Sequence, residues 1–201
     1  MIVLLWRSEY GCPEFGVEDS VLHAKNWVPS EEPQWGDSIA FVGDWALRAA
    51  VMGDVEAVAE LRAVVLREDL ERLGRYDERR VRQRLRDGFV PAHTWVIEVG
   101  GAFAGCVALR SEKDAYWLEH FYLDPEWQGR GIGGAVLKTL LERCDREGAV
   151  VRLNVLQGSS ARRLYDRHGF TQEAEDEVDV FMVRHPSSLE AGPVVSGGDG
   201  S

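Results

Sequence analysis

From residue 45 onward, apolar positions switch between the two-residue rhythm of a strand and the three-to-four-residue rhythm of a helix. Trp45–Val51 reads as a short strand leading through Gly53 to Asp54, a residue suited to cap a helix. Val55, Val58, Leu61, Val65 and Leu66 then share one helical face that stops at Gly74; Asp77 opens a second helix with Val81 and Leu85 inward, ended by Gly88. Thr94–Val99 and Ala102–Arg110 are β-rich runs hinged at Gly100-Gly101, a hairpin signal, and Ala115–Leu123 is a strand closed by Asp124-Pro125. Ile132, Val136, Leu137, Leu140, Leu141 and Cys144 make a thick helical stripe ending at Gly148. Val150–Val155 reads as a buried strand, Ser160–His168 as a short helix stopped by Gly169, and Val178–Val183 as the last strand. The order β-α-α-β-β-β-α-β-α-β predicts a mixed α/β (α+β) domain over 45–185, with one central sheet flanked by helices.

The ends break this regularity. Residues 1–44 hold eight acidic and two basic residues, interrupted by Pro13, Pro29 and Pro33, and are expected to form an irregular or accessory acidic extension anchored by Trp6, Trp27 and Trp35. Residues 186–201 are small, polar and Gly/Ser-rich, as in a disordered tail.

Charge narrows the partners. With 23 Lys+Arg against 34 Asp+Glu, the net charge of −11 argues against a nucleic-acid footprint and favours cationic small molecules, amines included. Cys12, Cys106 and Cys144 lack CxxC spacing and the five histidines lack any paired-ligand pattern, so free thiols and no metal are expected. The apolar opening Met1–Trp6 is too short for a signal peptide or a membrane span, which points to a cytoplasmic protein without a membrane partner. A homodimer is left open.

Candidate chemistry concentrates at Gln128-Gly129-Arg130-Gly131-Ile132-Gly133-Gly134, between a strand end and a helix start. Glycines let the backbone turn tightly and approach a ligand, and a helix N-terminus offers unpaired N–H groups and partial positive charge. Together they make an anion site suited to a pyrophosphate. Gly129, Gly131 and Gly134 also satisfy a literal GxGxxG. A dinucleotide fold would, however, need an acidic residue ending the next strand, where Leu156-Gln157-Gly158 stands.

The segment resembles the GCN5-related N-acetyltransferase (GNAT) family, whose acetyl-CoA loop reads (Arg/Gln)-x-x-Gly-x-(Gly/Ala); Gln128, Gly131 and Gly133 match it. Ala161, Leu164, Tyr165, Gly169 and Phe170 match the family's Ala-x-x-Leu-Tyr-x-x-x-Gly-Phe helix, about 30 residues downstream. The likeness spans roughly residues 46–184. It departs where the family often has an Asn ahead of that helix: here Gly158-Ser159-Ser160 stands, with Ser159 in place to cap the helix or to bond the cofactor.

The resemblance implies a GNAT-type fold and transfer of an acetyl group from acetyl-CoA to a primary amine of a small molecule or peptide, by direct attack in a ternary complex without metal. It implies that backbone N–H groups from Gly129 through Arg130, Gly131, Ile132 and Gly133 to Gly134 hold the pyrophosphate. The strand end at Leu123 would polarise the thioester, and Tyr165 would return a proton to the departing thiolate. Arg130 reads equally as a charge beside the phosphates or as a solvated arginine. The base stays open among Glu119, whose strand spacing places it on the face of Leu123, a water relay to another acid, and His120 on the opposite face. Glu173, Glu175, Asp176, Glu177 and Asp179 read as a solvated loop or as an acidic lip for an amine. The alternative to catalysis is an acyl-CoA-binding sensor or docking module, and thiol release with an amine panel separates the two.

Overall fold

The computed structural model of the chain describes residues 45–112 and 115–187 and, for Ile2–Val3 and Ser38–Val42, the backbone and its pairing. The expected tail from 188 on and the anchors Trp6, Trp27 and Trp35 lie outside the described residues. In chain order the strands and helices are β1 (Ile2–Val3), β2 (Ser38–Val42), β3 (Trp45–Ala49), α1 (Val55–Arg72), α2 (Glu78–Gly88), β4 (Thr94–Val99), β5 (Ala102–Glu112), β6 (Ala115–Leu123), α3 (Ile132–Arg146), β7 (Val150–Leu156), α4 (Arg162–Arg167), β8 (Thr171–Glu175) and β9 (Asp179–Arg184).

One sheet runs β2-β3-β4-β5-β6-β7-β9-β8, with β1 attached to β6. Every neighbouring pair is antiparallel except β6 and β7, and that parallel pair is joined by the crossover helix such a connection needs, α3. Strand residues alternate between two cores. Ile97, Val107, Leu153 and Val155 meet Val136, Leu137 and Leu140 of α3 and Leu164 and Tyr165 of α4. Val96, Cys106, Tyr122 and Leu156 meet Val58 and Leu66 of α1 and Val81 and Leu85 of α2. Each fully buried leucine in these layers contributes roughly 1.5–3 kcal/mol.

Local signals act much as their chemistry dictates. The Asp77 carboxylate accepts from the N–H groups of Arg79 and Arg80 and so caps α2. Asp54 does not cap α1; its carboxylate accepts from the Val51 N–H and pairs with Arg48, fastening the turn that precedes the helix. β8 was read as loop because its exposed Thr-Gln-Glu-Ala-Glu carries no apolar alternation; it is an edge strand held by its ladder to β9. Cys106 and Cys144 are buried free thiols. Among the described residues no helix is long and apolar enough to cross a membrane, and no group of three His, Cys, Asp or Glu is placed to hold a metal.

Candidate active site

The site begins where two strands part. β6 and β7 pair only from Ala115 to Trp117 and from Val150 to Arg152, although both continue, to Leu123 and Leu156. Beyond Trp117 a gap opens between them. Since β5 covers the other edge of β6 as far as Leu123, the pairing of Ile2 with Tyr122 and Val3 with Phe121 places β1 inside this gap.

An extra residue in β6 sets which side chains border the gap. Cys106 pairs with Tyr122 and Ala108 with Glu119, so two steps on β5 answer three on β6, and His120 takes a positive φ of 50°. This bulge corrects the expected side-chain alternation. Phe121 and Leu123 point into the α3/α4 core, whereas Glu119 follows Ala108 to the α1/α2 face; Glu119 therefore does not share the face of Leu123. His120 is buried beside Tyr122, its Nδ1 3.3 Å from the phenol oxygen, and burial with Arg62 and Arg110 nearby pushes its pKa down to about 3. Glu119 is held by Arg110, whose guanidinium donates to both carboxylate oxygens.

Backbone geometry at the end of β6 matters as much. The Asp124 N–H donates to the Ala104 carbonyl across the β5 ladder, so by antiparallel alternation the N–H and C=O of Leu123 face the open edge. Gln128 Nε2 donates to that carbonyl at 2.7 Å, tying the glycine turn to the strand end. Gly129 and Gly131 adopt φ of 74° and 82°, where a side chain would be strained, and Gly131 is the residue from which α3 starts. The first-turn N–H groups of Ile132, Gly133 and Gly134 have no acceptor within the helix and point out of its N-terminus. Arg130 is exposed and its guanidinium lies 4.8 Å from the Trp127 ring centroid, which positions it over the turn. A Cβ at Gly134 would make only ordinary contact, 3.8 Å, with the His168 ring, so packing against α4 does not itself require glycine there.

Tyr165 lies in the α3/α4 core, 0% exposed and edge-on to Phe170, with a hydroxyl that has no hydrogen-bond partner among the described residues. Burial, then the nearby Tyr122 phenol, raises its pKa well above the ordinary tyrosine value. Tyr122 belongs to the α1/α2 core, yet it is close enough to act electrostatically on Tyr165 in the α3/α4 core. Ser159 is buried and its Oγ accepts a long 3.4 Å bond from the Ala161 N–H, the capping role open to it.

Two polar groups lie near the gap: Asp179, one member of the acidic run read as a possible lip for an amine, and Arg62, which the sequence pattern places only on the α1 stripe. Asp179 starts β9 opposite Leu156, one strand from the gap and on the α1/α2 face. Asn154 Nδ2 donates to its Oδ1 at 2.9 Å, and burial pushes its pKa up to about 6 against that bond. Its sequence signal, an acid opening an otherwise apolar strand, was hidden in the acidic run that precedes it. Arg62 on α1 is 1% exposed, and its Nε has no partner. It stood in plain view as an arginine four residues from both Val58 and Leu66 on the sheet-facing stripe.

Residues 91–172 match the acetyltransferase (GNAT) domain. Solved structures share the fold. PaiA N-acetyltransferase from Thermoplasma acidophilum, in complex with coenzyme A, superposes with a TM-score of 0.59 at 19% identity over 70% of this chain and 98% of that one. Ard1 from Thermoplasma volcanium gives 0.57 at 21% identity over 72% and 99%. The ribosomal-protein-S18-alanine N-acetyltransferase from Escherichia coli gives 0.53 at 16% identity over 74% and 98%. No curated protein sequence matches the chain. The glycine turn at the head of α3 and the parted strands β6 and β7 all lie within the stretch, residues 91–172, that is similar to the acetyltransferase (GNAT) domain.

Proposed function

We propose that the protein transfers an acetyl group from acetyl-CoA to a primary amine, with both bound at once on either side of the β6–β7 gap. The observation that carries the reading is the presence of three features around the end of β6: the glycine turn tied to Leu123 through Gln128, the edge of β6 that β7 leaves beyond Trp117, and the Tyr165 hydroxyl near Tyr122, which has no partner among the described residues. They fit an acyl-CoA, which supplies a pyrophosphate for the first, an amide-bearing arm for the second and a sulfur for the third. The Leu123 N–H faces the gap, where it would bond the thioester oxygen and favour developing negative charge. Tyr165 would orient the sulfur and give its proton to the departing thiolate; a phenol suits that task only where the site brings the two pKa values together.

The incoming amine must lose a proton. Glu119 already satisfies both oxygens of its carboxylate on Arg110, whereas Asp179 accepts from Asn154 at Oδ1 alone among the described residues. Asp179 is thus the carboxylate better disposed to take that proton, with Glu119 and Arg110 bounding the same face.

The reading is tested by unfolding the full chain with and without acetyl-CoA. A saturating ligand should raise the melting temperature, by an amount set by its concentration over Kd. Gly131→Asp should reduce the rise, because it puts like charge and a strained side chain at the anion site. A wild-type protein whose melting temperature ignores saturating acetyl-CoA would sink the assignment.

A further inference from the structure

Arg62 is a buried cation with no carboxylate partner among the described residues; its guanidinium donates a hydrogen bond to the Tyr122 phenol, and its Nε is left over. Its guanidinium carbon lies 6.0 Å from the centroid of the Tyr122 ring, with His120 and Cys106 as further neighbours. None of the three offers a negative charge near neutral pH: burial raises the Tyr122 phenol and the Cys106 thiol far above their usual ranges, and His120 is neutral. Glu60 pairs with Arg82, Asp69 with Arg72 and Glu119 with Arg110, while Asp77, Glu78 and Asp87 share the groove that Arg62 borders. Among the described residues no carboxylate lies within ion-pair distance of Arg62, and its Nε is unsatisfied.

A guanidinium held dry and unpaired is costly, and an anion that pairs with it removes the penalty, so such a group marks a binding site more sharply than any exposed arginine. Although only 1% exposed, Arg62 borders a groove of about 870 Å³ shared with α2, whose lining carries both signs: Arg79 and Arg84 beside Asp77, Glu78 and Asp87. The planar fork of an arginine matches a carboxylate with two parallel hydrogen bonds. Through Tyr122, which is close enough to act electrostatically on Tyr165, the guanidinium is placed beside the transfer site on the face that holds Glu119 and Asp179.

We infer that the acyl acceptor carries a carboxylate as well as its amine, and that Arg62 receives this carboxylate while the amine faces the acidic side chains around Asp179. The inference names the acceptor class within the acetyl-transfer reading and rests on it. A zwitterionic acceptor, an amino acid or a short peptide with a nearby carboxylate, satisfies both charges of the face at once. A simple polyamine would leave Arg62 unpaired.

Two measurements on the full chain test this. In the first, sodium succinate replaces sodium chloride at constant ionic strength during thermal unfolding. The wild type should gain several degrees, Arg62→Met none, and Arg62→Lys an intermediate amount, because lysine keeps the charge and loses the fork. Equal gains in wild type and Arg62→Met, or no gain in the wild type, would overturn the site. In the second, acetyl-CoA-dependent thiol release is followed for amines offered in pairs, free acid and carboxamide. The free acids should be favoured at least tenfold in kcat/KM, and Arg62→Met should bring the pairs within about twofold. Carboxamides used as well as acids would overturn the acceptor class. Failure of acetyl-CoA itself to stabilise the wild type would instead defeat the acetyl-transfer reading, while the succinate result would still judge the anion site.

Discussion

Tyr165 keeps a hydroxyl that no other described residue satisfies. Leaving such a group dry costs about 1–3 kcal/mol, so phenylalanine would pack the same T-shaped contact with Phe170 at lower cost. Retaining a tyrosine there makes sense if the hydroxyl meets a ligand. Tyr165→Phe should therefore leave the melting temperature unchanged or raise it, while turnover falls about 10²–10⁴-fold; full activity with chemistry rate-limiting would return the residue to a packing role. Asp179 behaves differently because its folded pKa is raised. Above the unfolded value near 4 the buried carboxylate must ionise at a cost, so its contribution turns unfavourable as pH rises from about 4 to about 6 and stays so above. The cost is on the order of 2–3 kcal/mol. Asp179→Asn should raise the melting temperature at pH 7.5 and not at pH 3.5, and should depress turnover if the carboxylate is the base; melting temperatures that are equal at both pH values would show that it is not strained. The motif positions of Tyr165, Gln128 and Gly131 were legible because their roles depend on spacing in sequence. Arg62 was not, and Asp179 stood out only as one acid of a run, because burial and the pairing of polar groups arise only when distant segments meet.

Helices and strands were read with success where one face is apolar and missed where that contrast is absent. The stripes of α1, α2 and α3 and the hairpin of β4 and β5 fall where the pattern placed them. The polar edge strand β8 escaped for want of an apolar face, and the bulge at His120 escaped because an extra residue leaves no compositional mark yet reverses every side chain before it relative to those after it. Position alone also does not disclose which ion pairs matter. Arg184 of β9 is 8% exposed, donates to both oxygens of Asp145 on α3 at 2.7 Å, and bonds the His168 carbonyl at the end of α4, so one guanidinium fastens three elements. Removing the carboxylate would leave that charge buried and unpaired. Asp145→Ala should cost about 3 kcal/mol, read as a lower midpoint in denaturant. The exposed pair of Arg82 with Glu60 also has two hydrogen bonds, but it lies in water and salt screens it. Glu60→Gln should leave the same midpoint in place.

The sheet takes in a strand, β2, that precedes the change of composition at residue 45. Ser38–Val42 pairs with β3 and covers its outer edge, so a chain beginning at residue 45 would expose the backbone groups of Trp45–Ala49. Exposed edges invite pairing with another copy. Ile2–Val3, in contrast, adds nothing to that edge and lies in the gap where an acyl-CoA arm would bond to β6. The two ends of the acidic extension therefore predict opposite consequences of truncation. A protein comprising residues 38–201 should stay soluble and bind coenzyme A at least as tightly as the full chain, since the strand competing for Phe121 and Tyr122 is gone. One comprising residues 45–201 should self-associate, seen as a concentration-dependent rise in mass by light scattering. Weaker coenzyme A binding by the 38–201 protein, measured calorimetrically, would mean that residues 1–37 help to build the site; a monodisperse 45–201 protein would mean that β2 is dispensable to the edge it covers.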